Sequence, residues 1–198
     1  MKVKYFLMLV IASLCLASCG KDKLAKQEKK DTKQKEVVYT DHIQDTFFGV
    51  KFGASKEELI EAFKQHNLYL NGYSTDSWLA FEGRSKYFDF GGLNWSFVRV
   101  GFNNDKFYTI SFLDTPENKV TALDRFDRVF DELSKKYKMN ELPIQDTNTY
   151  KRYNARAKDE KIMGVFCFKA ESLGGEMRYY VSLDYYDEKL MKEVSDEL

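Results

Sequence analysis

Eight segments of the chain carry the apolar, aromatic and β-branched residues that are typical of β-strands. They are residues 46–53, 77–82, 87–90, 94–102, 106–113, 147–154, 161–169 and 176–186. Asn103, Asn104 and Asp105 separate two of these segments. Because Asn and Asp tolerate left-handed backbone angles, these residues predict a tight hairpin.

Two segments carry a helical pattern instead. Ser55 and Glu58 form the sequence of a capping box, in which the Ser hydroxyl and the Glu carboxylate each accept a backbone N–H. They predict a helix that runs to about residue 67. Thr115 and Pro116 predict the start of a second, longer helix. The second helix has one apolar stripe, formed by Leu123, Phe126, Phe130, Leu133 and Tyr137.

The predicted element order is strand, helix, four strands, long helix and three strands. This order predicts an α+β domain, with an antiparallel β-sheet and two main helices packed on one face. The arrangement resembles the TATA-box-binding-protein-like fold. The run F-G-V-K-F-G-A-S-K-E-E-L, residues 48–59, resembles the helix entry of small envelope lipoproteins related to β-lactamase-inhibitor domains. Both resemblances imply a fold and carry no activity with them.

The N-terminus has the features of a secretory signal peptide. Lys2 and Lys4 precede an apolar run over residues 5–16, which is shorter than the roughly 20 residues of a membrane-spanning helix. The run ends in L-A-S-C, residues 16–19, which resembles the lipobox of bacterial lipoproteins. The resemblance implies that the chain is cut before Cys19 and that Cys19 carries lipid. The alternative is an ordinary signal peptide that is cut near Ala17 or Ser18.

The predicted organisation is a signal peptide over residues 1–18, a lipidated cysteine and tether over 19–40, and one α+β domain over 41–198. Residues 21–36 are almost entirely polar and predict a disordered tether. Gly20 stands where some enterobacterial lipoproteins have an Asp that retains them at the inner membrane. The resemblance therefore implies a lipid-anchored protein of the bacterial cell envelope, with the outer membrane favoured.

Charge and cysteine content bear on three properties: a nucleic-acid partner, a disulfide bond and a reactive thiol. The net charge at pH 7 is zero, so the composition gives no argument for a nucleic-acid partner. Once Cys19 carries lipid, Cys167 is the one cysteine left after cleavage, so we expect no intramolecular disulfide. Cys167 lies in an apolar strand-like run, and we interpret it as a buried, unreactive thiol.

No familiar catalytic motif is present in the sequence. His42 and His66 lack the spacing of metal ligands, and we expect neither a metal nor a cofactor. The acidic residues of the second helix, Asp124, Asp127 and Asp131, are interpreted as a solvated face. A carboxylate pair such as Asp184 with Asp187 suits a glycoside hydrolase in principle. Because carboxylates are common in this chain, the enzyme prediction stays open and leans to no.

One predicted face of the sheet combines aromatic, basic and hydroxyl residues. Such faces recognise proteins or glycans, because large flat side chains bind with little loss of entropy. The alternative is that loops or the C-terminal strands cover this face. The candidate binding residues are Trp95, Phe97, Arg99, Arg178, Tyr180, Asp184 and Tyr186.

The leading functional prediction is a non-enzymatic, lipid-anchored envelope protein that binds another envelope component, either a protein or a glycan. One alternative is a hydrolase of cell-wall or dietary glycan, which requires two carboxylates in a cleft near a Trp. The other is a small-molecule carrier, which requires a sizeable apolar cavity between the sheet and the helices.

Overall fold

The structure is a computed structural model that describes residues 36–75, 77–172 and 175–192. The predicted signal peptide, the lipobox with Cys19 and most of the predicted tether lie outside the described residues. No helix in the described ranges is long and apolar enough to cross a membrane.

The described chain contains thirteen strands and three helices. The strands are β1 (Tyr39–Thr40), β2 (Thr46–Phe47), β3 (Val50–Lys51), β4 (Leu68–Leu70), β5 (Trp78–Gly83), β6 (Phe88–Phe90), β7 (Leu93–Trp95), β8 (Phe97–Asn103), β9 (Lys106–Asp114), β10 (Asn140–Glu141), β11 (Thr149–Ala157), β12 (Lys161–Glu171) and β13 (Met177–Asp187). The helices are α1 (Lys56–Gln65), α2 (Lys119–Ser134) and α3 (Glu188–Lys192).

Nine strands form one large sheet, and the predicted α+β class is confirmed. The order across the sheet is β1-β11-β12-β13-β9-β8-β5-β4, and β10 pairs with β11 outside this path. The pairs are antiparallel except for β1 with β11, which run parallel. Two small two-stranded sheets, β2–β3 and β6–β7, lie outside the large sheet. The observed chain therefore has more strands than the predicted order.

The first helix follows its local sequence closely. Ser55 and Glu58 form the predicted capping box: the Glu58 amide donates to Ser55 Oγ at 3.2 Å, and the Ser55 amide donates to Glu58 Oε2 at 2.9 Å. Leu59 and Phe63 are buried. After the helix, Asn67 adopts a φ of 58° and turns the chain directly into β4, a strand that the sequence pattern did not predict.

Three predicted boundaries are wrong for local reasons. Residues 46–53 form a two-stranded hairpin instead of one strand, because Phe48 and Gly49 turn the chain with φ of 51° and 84°. The segment 94–102 is broken at Ser96 into β7 and β8. Helix α2 begins at Lys119, where the Asn118 side chain accepts from the Thr121 amide, and not at Thr115.

The core is one cluster of apolar side chains from the strands and from α1 and α2. In the central strands it takes alternate residues, among them Val98, Val100, Ile110 and Phe112, which are all 0% exposed. Ala122, Phe126, Val129 and Leu133 are the buried residues of α2. Cys167 belongs to the same cluster and is buried, as predicted, and burial raises the pKa of its thiol to about 11.

Candidate functional site

Alternation along the central strands places a second set of side chains opposite the core. Arg99 lies between the buried Val98 and Val100 on β8, and Ser111 lies between two buried residues on β9. Because successive side chains of a strand point to opposite faces, these residues belong to the other face of the sheet. Cross-strand pairing joins Arg99 to Ser111, and Ser111 to Asp184 on β13.

A groove of about 470 Å³ lies on this second face. Its volume is within the range of small-molecule sites, which is about 300–1,000 Å³. Its apolar and aromatic lining consists of Trp78, Leu113, Phe166 and Phe168. Its polar lining consists of Arg99, Ser111, Asp146, Thr149, Arg152, Ser182 and Asp184. We call this cavity the groove. A second cavity, beside α2, has only about 40 Å³.

Two glycines let aromatic rings lie down on the sheet inside or beside the groove. A Cβ at Gly101 would be 2.6 Å from Cγ2 of Thr109 and 3.2 Å from the Trp78 ring, and a Cβ at Gly164 would be 2.5 Å from Cε2 of Phe166. The Phe166 ring therefore occupies the space that a side chain at position 164 would fill, and the Trp78 ring shares the space over Gly101 with the Thr109 methyl group. This packing gives the groove flat aromatic surfaces.

Each arginine of the groove rests on one of these rings. The guanidinium carbon of Arg99 is 5.1 Å from the Trp78 ring centroid, and that of Arg152 is 5.7 Å from the Phe166 ring centroid. Such cation–π contacts contribute about 0.5–1 kcal/mol at exposed sites. Within the described ranges, neither guanidinium lies within ion-pair distance of a carboxylate. Both cations contact a ring, and each interacts at longer range with a carboxyl of the groove, Arg99 with Asp184 and Arg152 with Asp146.

Asp184 lies on the floor of the groove and is partly buried. Ser182 Oγ donates to its Oδ2 at 3.3 Å, and its Oδ1 is buried with no hydrogen-bond partner in the part of the chain that the structure describes. Burial raises the pKa of Asp184 from 3.8 to about 6, although Ser111, Ser182 and Arg99 favour its charged form. A buried carboxyl with an unpaired oxygen costs stability, which is typical of functional sites.

Trp95 does not belong to this face, which corrects the predicted binding set. It is 0% exposed, its ring lies 5.9 Å from that of Phe112, and its Nε1 donates to the Phe90 carbonyl at 3.3 Å. The prediction treated residues 94–102 as one strand. The break at Ser96 ends that alternation, so the face of Trp95 does not follow from the face of Arg99.

The other predicted residues divide into three groups, of which Arg178 alone forms the third. Arg99 and Asp184 line the groove. Phe97, Tyr180 and Tyr186 pair across the sheet with residues of the same face, and Tyr180 stacks on Phe168 with ring centroids 5.4 Å apart. They surround the groove and do not line it.

Arg178 lies apart from the groove. It is exposed and donates to Glu176 at 2.7 Å. Asp187, the partner considered for Asp184 in a hydrolase, caps α3 by accepting from the amides of Lys189 and Leu190. Because Asp184 and Asp187 are three residues apart on one strand, they point to opposite faces and do not form a catalytic pair.

Several groove residues were missed by sequence reasoning, namely Trp78, Asp146, Thr149, Arg152, Phe166 and Phe168. The signal for two of them was present. On β12, Met163, Val165 and Cys167 are buried, whereas Phe166 and Phe168 alternate with them and are more exposed. The segment 161–169 was predicted as an apolar strand with no distinction between its two faces, so Phe166 and Phe168 were not assigned to the second face. Arg152 carries no comparable local signal.

Comparisons with known proteins give no information about the groove. No protein-family model matches the chain, and neither a curated protein nor a solved structure matches it.

Proposed function

We propose that this protein is a lipid-anchored lipoprotein of the bacterial cell envelope, and that it binds an envelope saccharide in the groove. The lipobox-like sequence before Cys19 supports the anchor. Two or more acyl chains hold a protein on a membrane far more firmly than one, so lipid at this cysteine gives a stable attachment. Residues 21–36 serve as the tether, and the domain of residues 41–198 carries the groove.

The proposed arrangement of the domain leaves the groove accessible. We propose that α1 and α2 together cover the core face of the sheet, as their contributions to the core cluster suggest. The opposite face is then available for a ligand. Arg99 at the groove is exposed, which agrees with an open face.

The position of the groove on interior strands is the observation that carries the binding proposal. Its central strands, β8, β9, β13 and β12, each have a hydrogen-bonded neighbour on both sides. An extended peptide therefore finds no unpaired strand edge to add to, and recognition depends on side chains. Flat rings together with hydroxyl, carboxyl and guanidinium groups suit the apolar faces and hydroxyls of sugar rings. The lack of a free edge counts against a peptide bound by strand addition, and a groove of about 470 Å³ suits a few sugar rings better than a folded protein surface.

The anchor is tested by metabolic labelling with a fatty-acid analogue in the native host. Wild-type protein is expected to take up the label and to fractionate with membranes. The Cys19→Ser variant is expected to take up none. Recovery of unlabelled wild-type protein in the soluble fraction would show that the anchor proposal is wrong.

The groove is tested by photo-crosslinking in the native envelope. A benzophenone amino acid replaces Phe168 in the groove, and Tyr87, which is 43% exposed, serves as the matched aromatic control position. We expect a saccharide adduct at position 168 and none at position 87, identified by mass spectrometry. Protein adducts alone at position 168, or equal adducts at both positions, would refute saccharide binding in the groove.

A hydrolase of envelope or dietary glycan is the second candidate function, and one observation favours it. Asp184 and Asp146 line the same groove with Trp78, and their pKa values are displaced in opposite directions. Hydrogen bonds from Thr149 and Asn148 lower the pKa of Asp146. A proton donor and a charged carboxylate are the groups that glycoside hydrolysis requires.

The hydrogen bonds that the Asp146 carboxylate accepts count against a role in hydrolysis. Its Oδ1 accepts from the amides of Asn148 and Thr149 at 2.8 Å, and its Oδ2 accepts from the Thr149 hydroxyl at 2.9 Å. These bonds make it a turn-stabilising residue. Incubation with end-labelled oligosaccharides decides the matter: shorter products that disappear in the Asp184→Asn variant would establish hydrolysis, and intact substrate would exclude it for those sugars.

A further inference from the structure

The two arginines of the groove lie near opposite ends of one row of residues. Arg99, Ser111, Asp184 and Gly164 are cross-strand partners on β8, β9, β13 and β12. Three inter-strand steps separate the first strand from the last, which corresponds to about 14 Å. The Phe166 ring covers Gly164, and Arg152 rests on that ring. The row therefore begins at one cation and ends beneath another.

Three other arginines of the described chain each form an ion pair with a carboxylate. Arg125 is 3.1 Å from Asp114, Arg156 is 2.6 Å from Glu188, and Arg178 is 2.7 Å from Glu176. In the described part of the chain, Arg99 and Arg152 have no carboxylate within ion-pair distance, and each interacts only at longer range with a groove carboxylate, Asp184 and Asp146 respectively. A guanidinium forms its strongest hydrogen bonds with carboxylate or phosphate oxygens. Each is already oriented by an aromatic ring, so binding an anion costs less side-chain entropy.

The centre of the row carries a carboxyl group and hydroxyl groups and no cation. Asp184 lies between the two cations along the row, and Ser111 and Ser182 flank it. A carboxylate at this position repels a negative charge, whereas the serine hydroxyls accept and donate hydrogen bonds to neutral polar groups. The negative charges of a ligand therefore belong at the ends of the row, and its uncharged polar groups belong at the centre.

We propose that the groove binds an acidic oligosaccharide that lies across the strands, with one sugar carboxylate at Arg99 and a second at Arg152. This inference rests on the proposed saccharide-binding function. The hydroxyls of the intervening ring face Ser111 and Ser182. The rings of Trp78 and Phe166 orient the two guanidinium groups.

The test is isothermal titration calorimetry with full-length protein in detergent. The acidic probe is a hyaluronan tetrasaccharide, whose two carboxylates lie on rings separated by an uncharged ring, and the neutral probe is its methyl ester. The test variants are Arg99→Gln and Arg152→Gln. The matched control is Arg84→Gln, because Arg84 is exposed and rests on the Tyr69 ring at 5.3 Å but lies outside the groove.

We expect the hyaluronan tetrasaccharide to bind and its methyl ester to bind at least tenfold more weakly. Each groove variant should also lose about tenfold or more in affinity, since bonds to charged groups are among the strongest. The control variant should bind like wild type. Circular dichroism of each variant verifies that loss of binding is not loss of folding.

Three results would overturn the inference. Equal binding of the acid and its methyl ester would show that charge is not recognised, and the saccharide-binding proposal would still stand. Wild-type affinity in both groove variants would show that neither arginine takes part in recognition. No binding of the hyaluronan tetrasaccharide would overturn the proposed placement of two sugar carboxylates, while the crosslinking experiment at position 168 separately decides whether the groove binds saccharides at all.

Discussion

Replacing Asp184 with Asn should make the folded protein more stable at neutral pH. The carboxyl is partly buried, its Oδ1 has no hydrogen-bond partner in the described structure, and burial raises its pKa to about 6. The amide of Asn has nearly the same shape and no charge. The substitution therefore removes the cost of burying a carboxylate and leaves the packing of the groove floor almost unchanged.

The size of the stability gain and its pH range follow from the pKa values of Asp184 in the unfolded and the folded chain. A pKa of 3.8 in the unfolded chain and about 6 in the folded chain correspond to about 3 kcal/mol, at 1.36 kcal/mol for each pKa unit. Because the folded state holds the proton more tightly, the wild type loses this stability as pH rises from about 4 to about 7. The gain in Asp184→Asn is therefore about 0.5 kcal/mol at pH 4 and reaches about 3 kcal/mol at pH 7.5.

Urea unfolding of both proteins at pH 4 and pH 7.5 measures the effect. Asp89→Asn is the matched control, because Asp89 is exposed, and it should show no comparable gain at either pH. At pH 7.5 the gain corresponds to a rise in melting temperature of about 6–12 °C for a domain of this size. Equal stability of wild type and Asp184→Asn at pH 7.5, or an equal gain at pH 4, would refute the reasoning.

Three further substitutions test separate parts of the structure. Trp95→Ala should destabilise the protein by about 3–5 kcal/mol in urea unfolding, because the ring is fully buried, whereas Tyr180→Ala should cost no more than about 2 kcal/mol. Equal costs would contradict the assignment of Trp95 to the core. Gly164→Ala should weaken binding of the hyaluronan tetrasaccharide several-fold, because the new methyl group displaces the Phe166 ring, and unchanged affinity would argue against that ring's role. Ser55→Ala should cost about 1 kcal/mol through loss of the helix cap, and no measurable cost would show that the cap is dispensable.

Local patterns in the sequence predicted those parts of the fold that depend on near neighbours. The capping box at Ser55 and Glu58 forms as expected, because both partners lie within one helical turn. The hairpin turn forms at Asn104 and Asp105, which adopt φ of 48° and 60°. The alternation along β8, which places Arg99 on the face opposite the core, also forms as predicted.

Longer-range features needed the tertiary structure. The parallel pairing of β1 with β11 joins residues more than a hundred positions apart, and no local pattern announces it. The second boundary error, at Ser96, had the largest consequence for the site, because a single break in a strand cancels the alternation beyond it. Trp95 moved from the predicted binding face into the core for this reason.

By itself, the sequence determined the class of the domain, the capping of its first helix, the turn of its central hairpin and the alternation along its longest strands. Only the tertiary structure decided that Arg152 and Phe166 share a groove with Arg99 and Asp184. The physical reason is that neighbours across a sheet are set by the order and register of strands. Those depend on how the whole chain packs, whereas the direction of a side chain along one strand depends only on its own residues.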